Sequence, residues 1–72
     1  MGGKNIRYTK HAIMRKAERG ITDGEIEILL GKPDYTISSF EGRKIAVKRI
    51  DGKQVHVVYK EKISHIIVIT VY

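Results

Sequence analysis

Histidine, arginine, lysine and tyrosine suffice to cut RNA without a metal. A base takes the ribose 2′-hydroxyl proton, an acid returns one to the 5′-oxygen, and fixed cations hold the phosphorane between them. The chain spaces such groups in two places. His11, Arg15 and Arg19 recur every fourth residue, which at about 100° per residue places them on successive turns of one helical flank, with Glu18 beside His11 and Arg15. His56, Lys44 and Lys48 fall in two strand-like runs further on. Imidazole serves as base or acid near neutrality, and the planar guanidinium fork holds two phosphate oxygens at once. Each residue also has an ordinary role. His11 suits a local hydrogen bond in a first helical turn, and the arginines suit surface pairing with Glu18 or with the acidic second helix.

The elements that position these groups are readable from spacing. Thr9 is a natural N-cap and Gly20 a natural left-handed stop, giving a first helix between them with Ile13, Met14 and Ala17 as its core stripe. A second helix opens on the capping-box spacing Thr22-Asp23-Gly24-Glu25 and ends near Gly31. Ile26, Leu29 and Leu30 turn to the core and Ile28 stands off that stripe. After Gly31-Lys32-Pro33-Asp34 the period changes to two. Strands are expected around Tyr35 to Phe40, Arg43 to Arg49, Lys53 to Lys60 and Ile63 to Tyr72, with turns at Glu41-Gly42, Asp51-Gly52 and Glu61-Lys62.

Register decides which side chains share a face. A two-residue Asp51-Gly52 turn would pair Val47 with His56 and Lys48 with Val55, mixing apolar and polar residues. A three-residue loop, Ile50-Asp51-Gly52, pairs Val47 with Val55 and Ile45 with Val57, and this is the expected arrangement. Ile45, Val47, Val55, Val57 and Tyr59 then face the helices, whereas Lys44, Ala46, Lys48, Gln54, His56 and Val58 form a basic, histidine-bearing face. The final strand is apolar on both sides in its middle, as a central strand is. Depending on loop length, Thr70 and Tyr72 share the His56 face or lie opposite it.

Length and composition narrow the function classes. Seventy-two residues hold one core, so a single domain over 1–72 is expected. The chain has no cysteine, so disulfides and thiolate chemistry are excluded and a cytoplasmic address fits. No apolar run reaches the roughly 20 residues that span a bilayer. The formal charge of +6 is segregated: residues 1–20 carry six basic and one acidic side chain, 21–42 one and five, and 43–62 seven and two. This favours a polyanionic partner, RNA or DNA before anionic lipid, since no segment reads as a basic helix with an aromatic apolar face; no membrane partner is expected. A nucleotide-binding glycine loop, a histidine pair at zinc-ligand spacing and a nucleophile elbow are all missing, and no cofactor or metal is expected.

The run Thr9-Lys10-His11-Ala12-Ile13-Met14-Arg15-Lys16-Ala17-Glu18-Arg19-Gly20-Ile21-Thr22, with its H-x3-R-x3-R-G-I pattern, closely resembles the opening of the family Domain of Unknown Function 4258. The ending Ile66-Ile67-Val68-Ile69-Thr70-Val71-Tyr72 resembles that family's closing strand. The family in turn resembles the superfamily of small metal-independent ribonucleases and toxins that includes barnase, colicin nuclease domains and RelE-type interferases. The resemblance implies helices packed on an antiparallel sheet, with His11, Arg15, Arg19, Thr70 and Tyr72 as catalytic positions. It also implies a possible neutralising antitoxin carrying an acidic segment.

The expected fold is therefore α+β, two N-terminal helices packed on one face of a four-stranded antiparallel sheet. The expected function is a toxin-like, metal-independent endoribonuclease leaving a 2′,3′-cyclic phosphate. Lys44, Lys48 and His56 would contact the RNA backbone. A non-catalytic nucleic-acid-binding module, or a protein-interaction domain such as a homodimer formed through a sheet edge, are the rival expectations.

Overall fold

The computed structural model describes residues 5–72 and is α+β. The order is β1 (Asn5–Tyr8), α1 (Lys10–Arg19), α2 (Asp23–Gly31), β2 (Tyr35–Ser38), a 3-10 turn (Phe40–Gly42), β3 (Arg43–Ile50), β4 (Lys53–Glu61) and β5 (His65–Val71). The sheet has five strands in the order β1-β5-β4-β3-β2 and is mixed, because β1 pairs with β5 in parallel. This corrects the expected four-stranded antiparallel sheet. The extra strand, Asn5-Ile6-Arg7-Tyr8, is too short for its alternation to stand out, and it forms only because β5 supplies an edge.

Both helices start where their caps predict. Thr9 Oγ1 accepts the Ala12 N–H at 3.0 Å and itself donates to the Ile69 carbonyl at 2.8 Å, while the Thr9 N–H donates to the Val68 carbonyl at 3.1 Å. One residue thus caps α1 and ties it to β5. Gly20 ends α1 at φ 68°, in the left-handed region. Thr22 and Glu25 form the reciprocal capping box of α2, at 3.1 and 2.9 Å.

The core lies between the helices and one sheet face: Ala12, Ile26 and Leu29 against Ala46, Val55, Val57, Tyr59, Val68 and Val71. α2 buries the expected Ile26 and Leu29 and leaves Ile28 exposed. α1 does not bury its expected stripe: Ile13, Met14 and Ala17 are exposed and Ala12 is the buried residue of this helix. The Thr9 tie to β5 holds the helix close to the sheet, where a small residue fits. Lys16 lies over the Tyr8 ring, its Nζ 5.2 Å from the centroid, and pairs with Asp23.

The β3–β4 hairpin corrects the expected register. Asp51 and Gly52 have φ of 51° and 80° and make a two-residue turn, so Val47 pairs with His56, Lys48 with Val55 and Ala46 with Val57. Asp-Gly suits a turn with both central residues at positive φ, whose twist matches the strands it joins. That local preference outweighs the tidier apolar pairing. β4 faces as expected, with Val55, Val57 and Tyr59 inward, whereas β3 is reversed: Ala46 is in the core and Ile45 and Val47 turn away from the helices. On β5 a bulge leaves Ile69 unmatched between Val68 and Thr70, and its carbonyl is the one Thr9 takes.

Candidate functional site

The sheet face turned away from the helices is open, and register defines its contents. Tyr35 on β2 pairs with Val47 on β3, Val47 with His56 on β4, and His56 exchanges two backbone hydrogen bonds with Tyr72, at 2.7 and 2.9 Å. The four side chains therefore form one row across the sheet. The His56 and Tyr72 rings stack, with centroids 4.5 Å apart and planes 4° from parallel. Val47, walled by Tyr35 on one side and His56 on the other, is only 1% exposed although it is outside the core. Tyr35 also meets Gln54, Nε2 to phenol oxygen at 3.3 Å, so its ring reaches across β3.

The outer end of the row is free of neighbouring strand. β1 stops at Tyr8, opposite Val68, so among the described residues β5 beyond Val68 has no strand on its outer side. Tyr35 and Tyr72, the two ends, are each nearly half exposed.

Alternation brings Thr70, Ile67 and Val58 to the same face, together with Arg7 on β1, Arg43 and Arg49 on β3 and Lys60 on β4. Among the described residues, no Asp or Glu occupies a strand position on this side. Arg43 is 3.8 Å from Glu41 of the adjoining turn, and the Arg49 guanidinium donates to the Gly52 carbonyl at 3.1 Å. Four cations with no strand carboxylate make a field that suits phosphates. His56 Nδ1 is buried with no hydrogen-bond partner among the described residues.

The sequence-derived candidates divide between two layers. His56, Thr70 and Tyr72 meet on the open face. His11, Arg15 and Arg19 are exposed on α1, which packs on the opposite side of the sheet. Arg15 pairs with Glu18 at 3.5 Å, and Arg19 borders a shallow depression beside Asp51 and Lys53. Lys44 and Lys48 turn to the helix side: Lys44 is 3.5 Å from Glu61, and Lys48 donates to the Lys32 carbonyl at 3.0 Å and lies 3.6 Å from Asp34. Tyr35, Val47, Arg43 and Arg49 were not singled out from sequence. The signal that finds the three on β3 is the Asp51-Gly52 dipeptide, because the two-residue turn puts all of β3's odd-numbered residues on the His56 face.

The model of the family described as Domain of unknown function (DUF4258) matches residues 8–72, from the last residue of β1 through Tyr72. The chain belongs to the DUF4258 family. No curated protein and no solved structure matches it. The DUF4258 match takes in α1 and all four residues of the row. It leaves most of β1 outside, although β1 contributes Arg7 to the open face. Among the described residues no three His, Asp or Glu side chains gather as metal ligands, and no helix is long and apolar enough to cross a membrane.

Proposed function

We propose that this DUF4258 protein binds single-stranded RNA across the open sheet face. One observation carries the reading: the row Tyr35, Val47, His56, Tyr72 lies on a face bearing Arg7, Arg43, Arg49 and Lys60 and, among the described residues, no strand carboxylate. Bases of a single strand expose ring faces that stack on tyrosine and histidine, while the cations follow the backbone. A duplex hides those faces. The test is fluorescence anisotropy with a labelled single-stranded RNA and the same RNA annealed to its complement, at two salt concentrations. Binding to the single strand that weakens steeply with salt is expected; equal affinity for the duplex overturns the reading.

A second reading, toxin-like metal-independent cleavage, is favoured by His56, Thr70 and Tyr72 meeting on one face and by the resemblance to small ribonucleases. A base would remove the 2′-hydroxyl proton, the 2′-oxygen would attack phosphorus, and an acid would protonate the departing 5′-oxygen, leaving a 2′,3′-cyclic phosphate and a 5′-hydroxyl. The position of His56 suits it to one of these transfers, and His11 is the rival on α1. Cleavage of labelled RNA in EDTA, compared between wild type, His56→Ala and His11→Ala, decides which histidine is used. A cytoplasmic toxin of this kind would pair with an antitoxin whose acidic segment covers the basic face.

A further inference from the structure

The two most exposed large apolar side chains of the described residues are Phe40, 86% exposed, and Ile63, 99% exposed. They are 23 positions apart in sequence but sit at the same end of the sheet. Phe40 opens the turn between β2 and β3, and Ile63 lies between β4 and β5. Arg43, just after the first turn, pairs with Lys60, just before the second, and a Cβ at Gly42 would lie 3.7 Å from Lys60 Cε. Strand spacing separates the two tips by roughly 10 Å.

Among the described residues their charged surroundings are Arg43, Lys44, Lys60 and Lys62 against Glu41 and Glu61, a net of +2, with Arg43 3.8 Å from Glu41 and Lys44 3.5 Å from Glu61. Single exposed apolar residues on a surface are ordinary, but two side by side, protruding and set among cations, form a surface. We propose that this end of the sheet docks on an anionic lipid bilayer, Phe40 and Ile63 entering the acyl boundary and the cations resting at headgroup level. Lipid fits better than RNA, because the isoleucine offers no π face to a base and no donor to a phosphate. The sequence hides the site, since its two halves belong to different turns and no amphipathic helix is involved. The Tyr35–Tyr72 row lies nearer the Asp51-Gly52 end, so docking leaves its rings open while engaging Arg43 and Lys60, the cations that the two surfaces share.

The experiment is cosedimentation of the full chain with vesicles of phosphatidylcholine alone or mixed with phosphatidylserine, for wild type and Phe40→Ser/Ile63→Ser, with RNA anisotropy run on the same samples. Wild type is expected to pellet with the mixed vesicles and the double variant to bind at least about tenfold more weakly. No pelleting, or pelleting that the double variant retains, overturns the proposal; the latter would be adsorption by overall charge. In a second arm, Ile63→Trp is expected to show blue-shifted emission on mixed vesicles, and unshifted emission overturns insertion of that tip. Unchanged RNA binding in the double variant separates this surface from the RNA face, so either idea can fail alone.

Discussion

Replacing Tyr72 with alanine removes the outer end of the row and tests what the row is for. One face of its ring is taken by His56, at 4.5 Å and 4°. Among the described residues the other borders no strand, because β1 ends opposite Val68, and in this reading it takes one base. Losing one base–aromatic stack costs about 1–3 kcal/mol, a factor of roughly 5 to 150 in Kd. The fold loses less: the ring is 44% exposed, so the cost lies toward the lower end of the roughly 0.5–1.5 kcal/mol of an aromatic pair. Tyr72→Phe keeps the stack and should bind within about twofold of wild type. Because the phenol touches no phosphate in this reading, Tyr72→Ala should leave the slope of log K against log salt unchanged. Arg43→Gln should reduce that slope by about 0.7, one phosphate contact on a single strand. The assay is anisotropy over a salt series, with circular dichroism to show that each variant is folded. A folded Tyr72→Ala that binds like wild type refutes the reasoning.

Three further predictions concern the scaffold. Gly52 holds φ 80° in the β3–β4 turn, so Gly52→Ala should cost about 1 kcal/mol and lower Tm by roughly 4–8 °C in a thermal melt. Thr22→Ala removes the hydroxyl of the α2 capping box and should cost about 1 kcal/mol in urea unfolding, with an unchanged m-value. Tyr8's phenol is pushed up from 10.0 to about 12, chiefly by burial and then by Asp23 and Glu27. The folded chain holds that proton after the unfolded chain has released it, so its contribution to stability is complete below about pH 10 and is lost as pH rises toward 12. Tyr8→Phe should flatten this alkaline fall in unfolding free energy and remove the late phase of the phenolate absorbance titration.

Local chemistry was the most legible part of this sequence. Thr9, Gly20 and the Thr22–Glu25 box each act through bonds to near neighbours, and each sits where its residue type predicts. The period-two runs of β2 to β5 were equally plain. What failed depended on tertiary partners. Ile13, Met14 and Ala17 make a good apolar stripe, yet the Thr9 bond to Ile69 presents Ala12 to the sheet instead. The hairpin register was decided by two turn residues against the apolar pattern of the strand positions in Arg43–Arg49 and Lys53–Lys60. That choice moved Lys44 and Lys48 away from His56 and brought Val47 and Arg49 to it. Half of the candidate site was therefore visible as residue types, and the half that depends on register was not.

The clasp between Thr9 and Ile69 joins positions 60 apart, as do all four pairs of β1 with β5. By contrast, the β3–β4 hairpin closes over two residues. Loop-closure entropy must be overcome before distant contacts repay it, so the hairpin forms early and the β1–β5 seam late. Changes at Asp51 and Gly52 should then slow refolding, whereas changes at Thr9 should leave refolding alone and quicken unfolding. The seam is also the first place for the native chain to open, and while it is open α1 has lost its anchor and β5 offers a bare edge to other chains.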